Sequence, residues 1–176
     1  MCVVECTFIL IDLETREAGV ARLETVAREE DLVSGMCGDV NLFLNDHDDR
    51  RAAEIEIMVA ETQSRRKGLG RQALILMMHY GLQHLPPETT PPETMPLKPC
   101  TPLFVGVREL GLHRFVSKIS LVNGASISLF KSLRFEEESV SAVFQEVTLQ
   151  LVITPEVATW LDSLAAGREI HTLSRE

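Results

Sequence analysis

Long apolar runs are missing from this chain. Hydrophobic residues make up 45% of its 176 positions, yet no stretch approaches the roughly 18–20 uninterrupted residues that a membrane span needs. The opening residues Met1-Cys2-Val3-Val4-Glu5-Cys6 lack a basic flank and a small-residue cleavage site, so no secretory signal is expected. Positive charge is scarce as well. Lys and Arg total 17 against 26 Asp and Glu, a net charge of −9, which repels nucleic acid unless a local basic stripe intervenes. Cysteine is thin: Cys2, Cys6, Cys37 and Cys100 form no CxxC pair, and no His or Cys pair follows at zinc-ligand spacing. These absences lead to the expectation of a cytoplasmic chain with reduced thiols, no metal, no membrane and no nucleic acid partner.

What is present fits one domain, expected over residues 1–166, with enough apolar content for a core and a polar tail over 167–176. Strands are expected at Cys6–Asp12, Met36–Leu44, Ala53–Glu61, Phe115–Ser120, Phe135–Val140 and Val143–Ile153. Ala53–Glu61 alternates most cleanly, with Ile55, Ile57 and Val59 on one side and Glu54, Glu56 and Met58 on the other. Thr15–Ser34 reads as loop with some helix, and Asn45–Arg51 as a solvated turn. Helices are expected from Gly70 to Pro86, over Val105–Leu112, over Ala125–Leu133, and from Pro155 through Trp160 and Leu164. Alternating strands and helices make an α/β class. Seven of the eight prolines lie between Pro86 and Pro102, with Pro-Pro-Glu-Thr occurring twice. Proline cannot donate to a ladder, so residues 85–103 read as a surface insertion.

The chemistry is expected where the cleanest strand feeds the first buried helix, at Gln63-Ser64-Arg65-Arg66-Lys67-Gly68-Leu69-Gly70-Arg71. Glycines two apart let the backbone turn tightly, and a helix N-terminus offers unpaired N–H groups and positive partial charge. Four basic residues there invert the charge of an acidic chain, which points to a small anion. The pattern is neither a P-loop nor a dinucleotide fingerprint.

Arg65-x-x-Gly68-x-Gly70 after a strand resembles the acetyl-CoA loop of the GCN5-related N-acetyltransferase (GNAT) superfamily. Lys118 to Phe135, with a strand ending at Asn123, a Ser-bearing helix and Phe130-Lys131-Ser132-Leu133-Arg134-Phe135, resembles that family's second signature. Gly38–Leu44, Glu54–Glu56, Lys67–Gly70 and Val143–Leu149 look like one subgroup of it. The resemblance implies a GNAT-like mixed central sheet flanked by helices, here lacking the usual N-terminal strand and two helices. It further implies acetyl-CoA as co-substrate and transfer of its acetyl group to a peptide or protein amine in a ternary complex. Ile57, Met58 and Val59 would then pair through their backbone with the pantetheine arm. Arg65, Arg66, Lys67, Gly68, Leu69, Gly70 and Arg71 would hold the pyrophosphate, and Asn123, Ser126 and Phe130 would line the arm's far side.

Acyl transfer needs a neutral amine. An α-amine titrates near ~7.7–8.0 and a lysine near ~10.4, so a base is of more use to the second. Glu56 and Glu54, on the central strand, are the candidate bases, and the Met58 and Val59 N–H groups are candidates to polarise the thioester carbonyl. Many relatives carry tyrosine where this chain has Phe130, which cannot protonate a leaving thiolate. The alternative is therefore a catalytically weak module of this fold that binds CoA or a protein partner.

Overall fold

The computed structural model describes residues 4–11, 35–84 and 111–167. The segment Thr15–Ser34, the proline-rich insertion, the tail beyond Gly167 and most of the helix expected at Val105–Leu112 lie outside them. Of that helix only Gly111 and Leu112 are described, and they are irregular, with Gly111 at φ 55°.

Strands β1 (Val4–Ile11), β2 (Met36–Leu44), β3 (Ala52–Val59), β4 (Arg114–Ser120), β5 (Glu136–Ser141) and β6 (Glu146–Val152) form one sheet. Their order is β1-β2-β3-β4-β6-β5. Every neighbouring pair is antiparallel except β3 with β4. A parallel pair needs a crossover, and α1 (Leu69–His84) lies within it. Helices α2 (Gly124–Ser132) and α3 (Pro155–Ala165) complete the mixed α/β architecture.

Period-two alternation decides which face is buried. The registers Val40↔Ile57, Leu42↔Ile55, Phe115↔Leu151 and Ile119↔Val147 gather the apolar residues on one face. There they share a core with Leu74, Ile75, Met77 and Met78 of α1 and Leu161 and Ala165 of α3. Gly81 lets α1 lie close, since a Cβ there would stand 3.3 Å from Leu42 Cδ2 and 3.4 Å from Phe115 Cε1. The same alternation sends Asp39, Asn41, Glu54, Glu56, Met58 and Lys118 to the opposite face.

One expected strand is shorter than its pattern. Val143 and Phe144 continue the alternation of β6 but occupy the β5–β6 turn, 86% and 75% exposed. Pairing resumes only at Ser141↔Glu146. The turn is held by Gln145 Nε2 donating to the Ala142 carbonyl (2.6 Å) and the Phe144 N–H donating to Ser141 Oγ (3.2 Å). Antiparallel return requires such a turn, whatever the hydrophobic pattern of its residues. Among the described residues no helix is long and apolar enough to cross a membrane.

Candidate functional site

Strands β3 and β4 pair at Ala52↔Arg114, Ala53↔Phe115 and Glu54↔Val116, and there the pairing ends. Beyond it the strands run on separately, β3 to Val59 and β4 to Ser120. Which peptide groups face this gap follows from the other edge of β3. A Cβ on Gly38 would stand 2.0 Å from the Met58 carbonyl oxygen, so that carbonyl points at β2. In an antiparallel pair alternate residues turn both peptide groups toward the partner. Met58 therefore serves β2, while Ile57 and Val59 turn their peptide groups toward the gap. Of the three residues expected to pair with a pantetheine arm, these two turn their backbone to the gap, the Val59 carbonyl being taken up by Arg65.

Past Val59 the chain is folded back tightly. The N–H groups of Ala60 and Glu61 both donate to the Cys37 carbonyl, at 2.8 and 3.2 Å. A single 3₁₀ turn, Thr62–Ser64, follows. Arg65 bends onto this end of β3, its Nε donating to the Val59 carbonyl (2.8 Å) and Nη2 to the Ala60 carbonyl (3.0 Å). Its Nε and Nη2 thus hold the loop, in addition to the pyrophosphate contact that the resemblance implies for it. Arg66 (φ 63°) and Gly68 (φ 86°) both adopt the left-handed conformation, natural for the glycine and strained for the arginine.

Helix α1 then begins, with Gln72 N–H bonded to the Gly68 carbonyl at 3.0 Å. The N–H groups of its first turn, Leu69, Gly70 and Arg71, have no acceptor within the helix, and no acidic residue stands among them. A Cβ on Gly70 would lie 3.5 Å from Leu129 Cδ2 and 3.8 Å from Ile57 Cγ1. The start of α1 therefore sits directly against the end of β3 and the flank of α2. Arg66 and Lys67 are exposed and Arg71 half-buried.

The gap itself is a cleft of about 290 Å³ lined by Glu56, Ile57, Ser117, Lys118, Ile119, Ser120, Asn123, Ser126 and Phe130. Five predicted site residues meet in it: Glu56, Ile57, Asn123, Ser126 and Phe130. Asn123 caps α2, its Oδ1 accepting the Ser126 N–H at 3.1 Å. Phe130 is buried (1% exposed) and meets Phe135 edge-on, ring centroids 4.9 Å apart. The helix ends in a Schellman motif, with Phe135 N–H bonded to the Phe130 carbonyl and Arg134 N–H to that of Lys131. Arg134 takes the left-handed position at φ 67°, and its guanidinium stacks over Trp160 of α3, 4.2 Å from the ring centroid. Both ends of α2 are thereby tied, with Ser126 and Phe130 on the cleft.

The two candidate bases differ. Glu54 is paired with Lys118, Nζ to Oε2 2.9 Å. Glu56 has no such partner among the described residues. Partial desolvation pushes its carboxyl above the ordinary carboxylate value, the Glu54 charge and more weakly Asp39 add to that, and Lys118 opposes it. Ser117, Lys118, Ile119 and Ser120 are cleft residues that sequence reasoning did not assign. Ser117 carries a signal in retrospect, a polar residue in phase with Phe115 and Ile119 and 3% exposed. Elsewhere the Cys37 thiol donates to the Leu10 carbonyl at 3.4 Å, and burial pushes the Cys6 thiol up. Tyr80 is half-buried in α1.

A family model described as "Acetyltransferase (GNAT) domain" matches residues 7–136. Alpha/beta-tubulin-N-acetyltransferase 9 of Homo sapiens is 39% identical over 157 residues, 89% of this chain and 60% of that protein. The protein of the same name from Drosophila melanogaster is 37% identical over 158 residues, 89% of this chain and 62% of that one. An N-acetyltransferase 9-like protein of Nematostella vectensis is 39% identical over 147 residues, 83% of this chain and 57% of its own length. The chain spans about three fifths of the length of these relatives.

Proposed function

Because this chain belongs to the GNAT acetyltransferase family, we propose that it transfers an acetyl group from acetyl-CoA to an amine of a peptide or protein in a ternary complex. The observation that carries this is the gap between β3 and β4, which opens past Glu54↔Val116 and ends against the first turn of α1. An extended, amide-bearing arm fits beside Ile57 and Val59, whose peptide groups face the gap. A pyrophosphate fits the N–H groups of Leu69, Gly70 and Arg71, with Arg66, Lys67 and Arg71 supplying charge. Arg65 keeps that cradle in register with the strand.

The amine nitrogen attacks the thioester carbonyl carbon, the C–S bond breaks, and CoA leaves as thiolate. Glu56, directly or through one water, takes the proton that the attacking amine loses. The Val59 N–H, turned to the gap, polarises the thioester carbonyl. A thiol of pKa near ~8.5 is a tolerable leaving group, so Phe130 does not block the reaction. The relatives' printed names make α- and β-tubulin peptides the first acceptors to try.

Calorimetric titration of acetyl-CoA tests the cofactor half, and absence of heat overturns it. CoA release over a panel of peptides, those of tubulin included, tests transfer. The rate should rise with pH as Glu56 loses its proton, with a midpoint above glutamate's ordinary value. In Glu56→Gln that limb should vanish and the rate fall about 10²–10⁴-fold. One observation favours a second reading, a catalytically weak module that binds CoA. Phe130 gives the cleft an apolar wall where an acid would help the thiolate leave. Heat with acetyl-CoA but no CoA release from any peptide would select it.

A further inference from the structure

We propose that Lys118 is a positioning residue of this site: by pairing with Glu54 it ties β3 to β4 where their backbones part, and sets the charge that Glu56 faces. The proposal deepens the reading of Glu56 as base and rests on it.

Glu54 is the last residue of β3 to pair with β4, opposite Val116. Lys118 is the next residue of β4 on the same face. Their side chains meet at 2.9 Å, so a charge-assisted bond spans the gap just where the ladder has stopped. The Glu54 side chain is only 14% exposed and that of Lys118 53%, so the carboxylate is well withdrawn and the ammonium reaches in from solvent. Glu54 and Glu56 stand two residues apart on one strand face, about 7 Å between Cα atoms. With Lys118 on Glu54, one carboxylate is neutralised as a strut and the other is left to exchange protons.

Among the described residues, the charged groups bearing on Glu56 come from three strands: Glu54 beside it on β3, Asp39 on β2 and Lys118 on β4. Asn41, directly across on β2, is neutral. Lys118 is the cation of this set. Its removal unbalances both carboxylates, and removal of Glu54 frees Lys118 to act on Glu56 alone.

The test follows Glu56 itself by carboxyl-carbon NMR against pH, a readout that does not need turnover, in Lys118→Met, Glu54→Gln, the double variant and Lys118→Arg. Lys118→Met should raise the Glu56 midpoint by about 0.5–1 pH unit, a unit charge several ångströms away at a wet surface. Glu54→Gln should lower it, the double variant should return near the parent, and Lys118→Arg should leave it in place. The acid limb of the CoA-release rate should move with each midpoint. A Glu56 midpoint unmoved in Lys118→Met overturns the proposal, even if that variant melts earlier, since the pair would then be only a strut. If Glu56→Gln keeps its rate and acid limb while the midpoints move as stated, the base reading fails, and Lys118 as a positioning residue for catalysis fails with it.

Discussion

Strand β4 has two neighbours and treats them oppositely. With β6 it pairs along its whole length, from Arg114↔Val152 to Ser120↔Glu146. With β3 it pairs at three positions and then leaves. The difference is one of connection as well as of sequence. Between β4 and β6 the peptide groups are used up by a continuous antiparallel ladder, and nothing is left to bind with. On the other edge β3 is held just as firmly by β2, so its far side past Glu54 is a rigid row of peptide groups without a strand to receive them. Backbone donors and acceptors need partners, and a preorganised unpaired edge is therefore a recognition surface. The proposed site lies where the sheet is incomplete.

The comparison is broken most severely by spoiling the closed edge. Gly38→Ala forces a Cβ against the Met58 carbonyl, so β2 must separate from β3. Chemical denaturation should show a loss of about 3 kcal/mol or more, a large share of a domain's stability. A change on the open side should spare the fold and cost binding. Gly70→Pro removes one first-turn N–H at a position where proline is tolerated, and calorimetry should show acetyl-CoA bound about 10–100-fold more weakly, the worth of a charge-assisted hydrogen bond. The smallest effect is expected for Arg65→Ala, which frees the Val59 and Ala60 carbonyls. Its melting curve should report about 1 kcal/mol lost, with a smaller fall in acetyl-CoA affinity than Gly70→Pro. A larger fall than Gly70→Pro would return Arg65 to direct contact with the pyrophosphate.

Much of the fold was legible in the residues. The alternation of Ala53–Val59, the glycines at 68 and 70, and the helix opened by Pro155 each express a local period or a local backbone need. The β5–β6 turn was not, because Val143 and Phe144 carry a strand's hydrophobicity into a place where closure of the hairpin overrides it. Of the site, the residue types were legible and their partners were not. Arg65 was assigned by motif to an anion and is bonded to its own strand. Glu54 and Glu56 were equivalent by alternation, and Lys118 distinguishes them.

The chain alone determined which residues face the core, where helices start, and where an acidic protein turns locally basic, because these depend on neighbours a few positions away. Register and divergence belong to the tertiary structure. That Lys118 meets Glu54, that Ile57 and Val59 rather than Met58 look into the gap, and that α1 begins against both β3 and α2 all depend on how distant strands align. A one-residue slip would turn every side chain of a strand to the other face, so the packing of one sheet face on its helices selects the register.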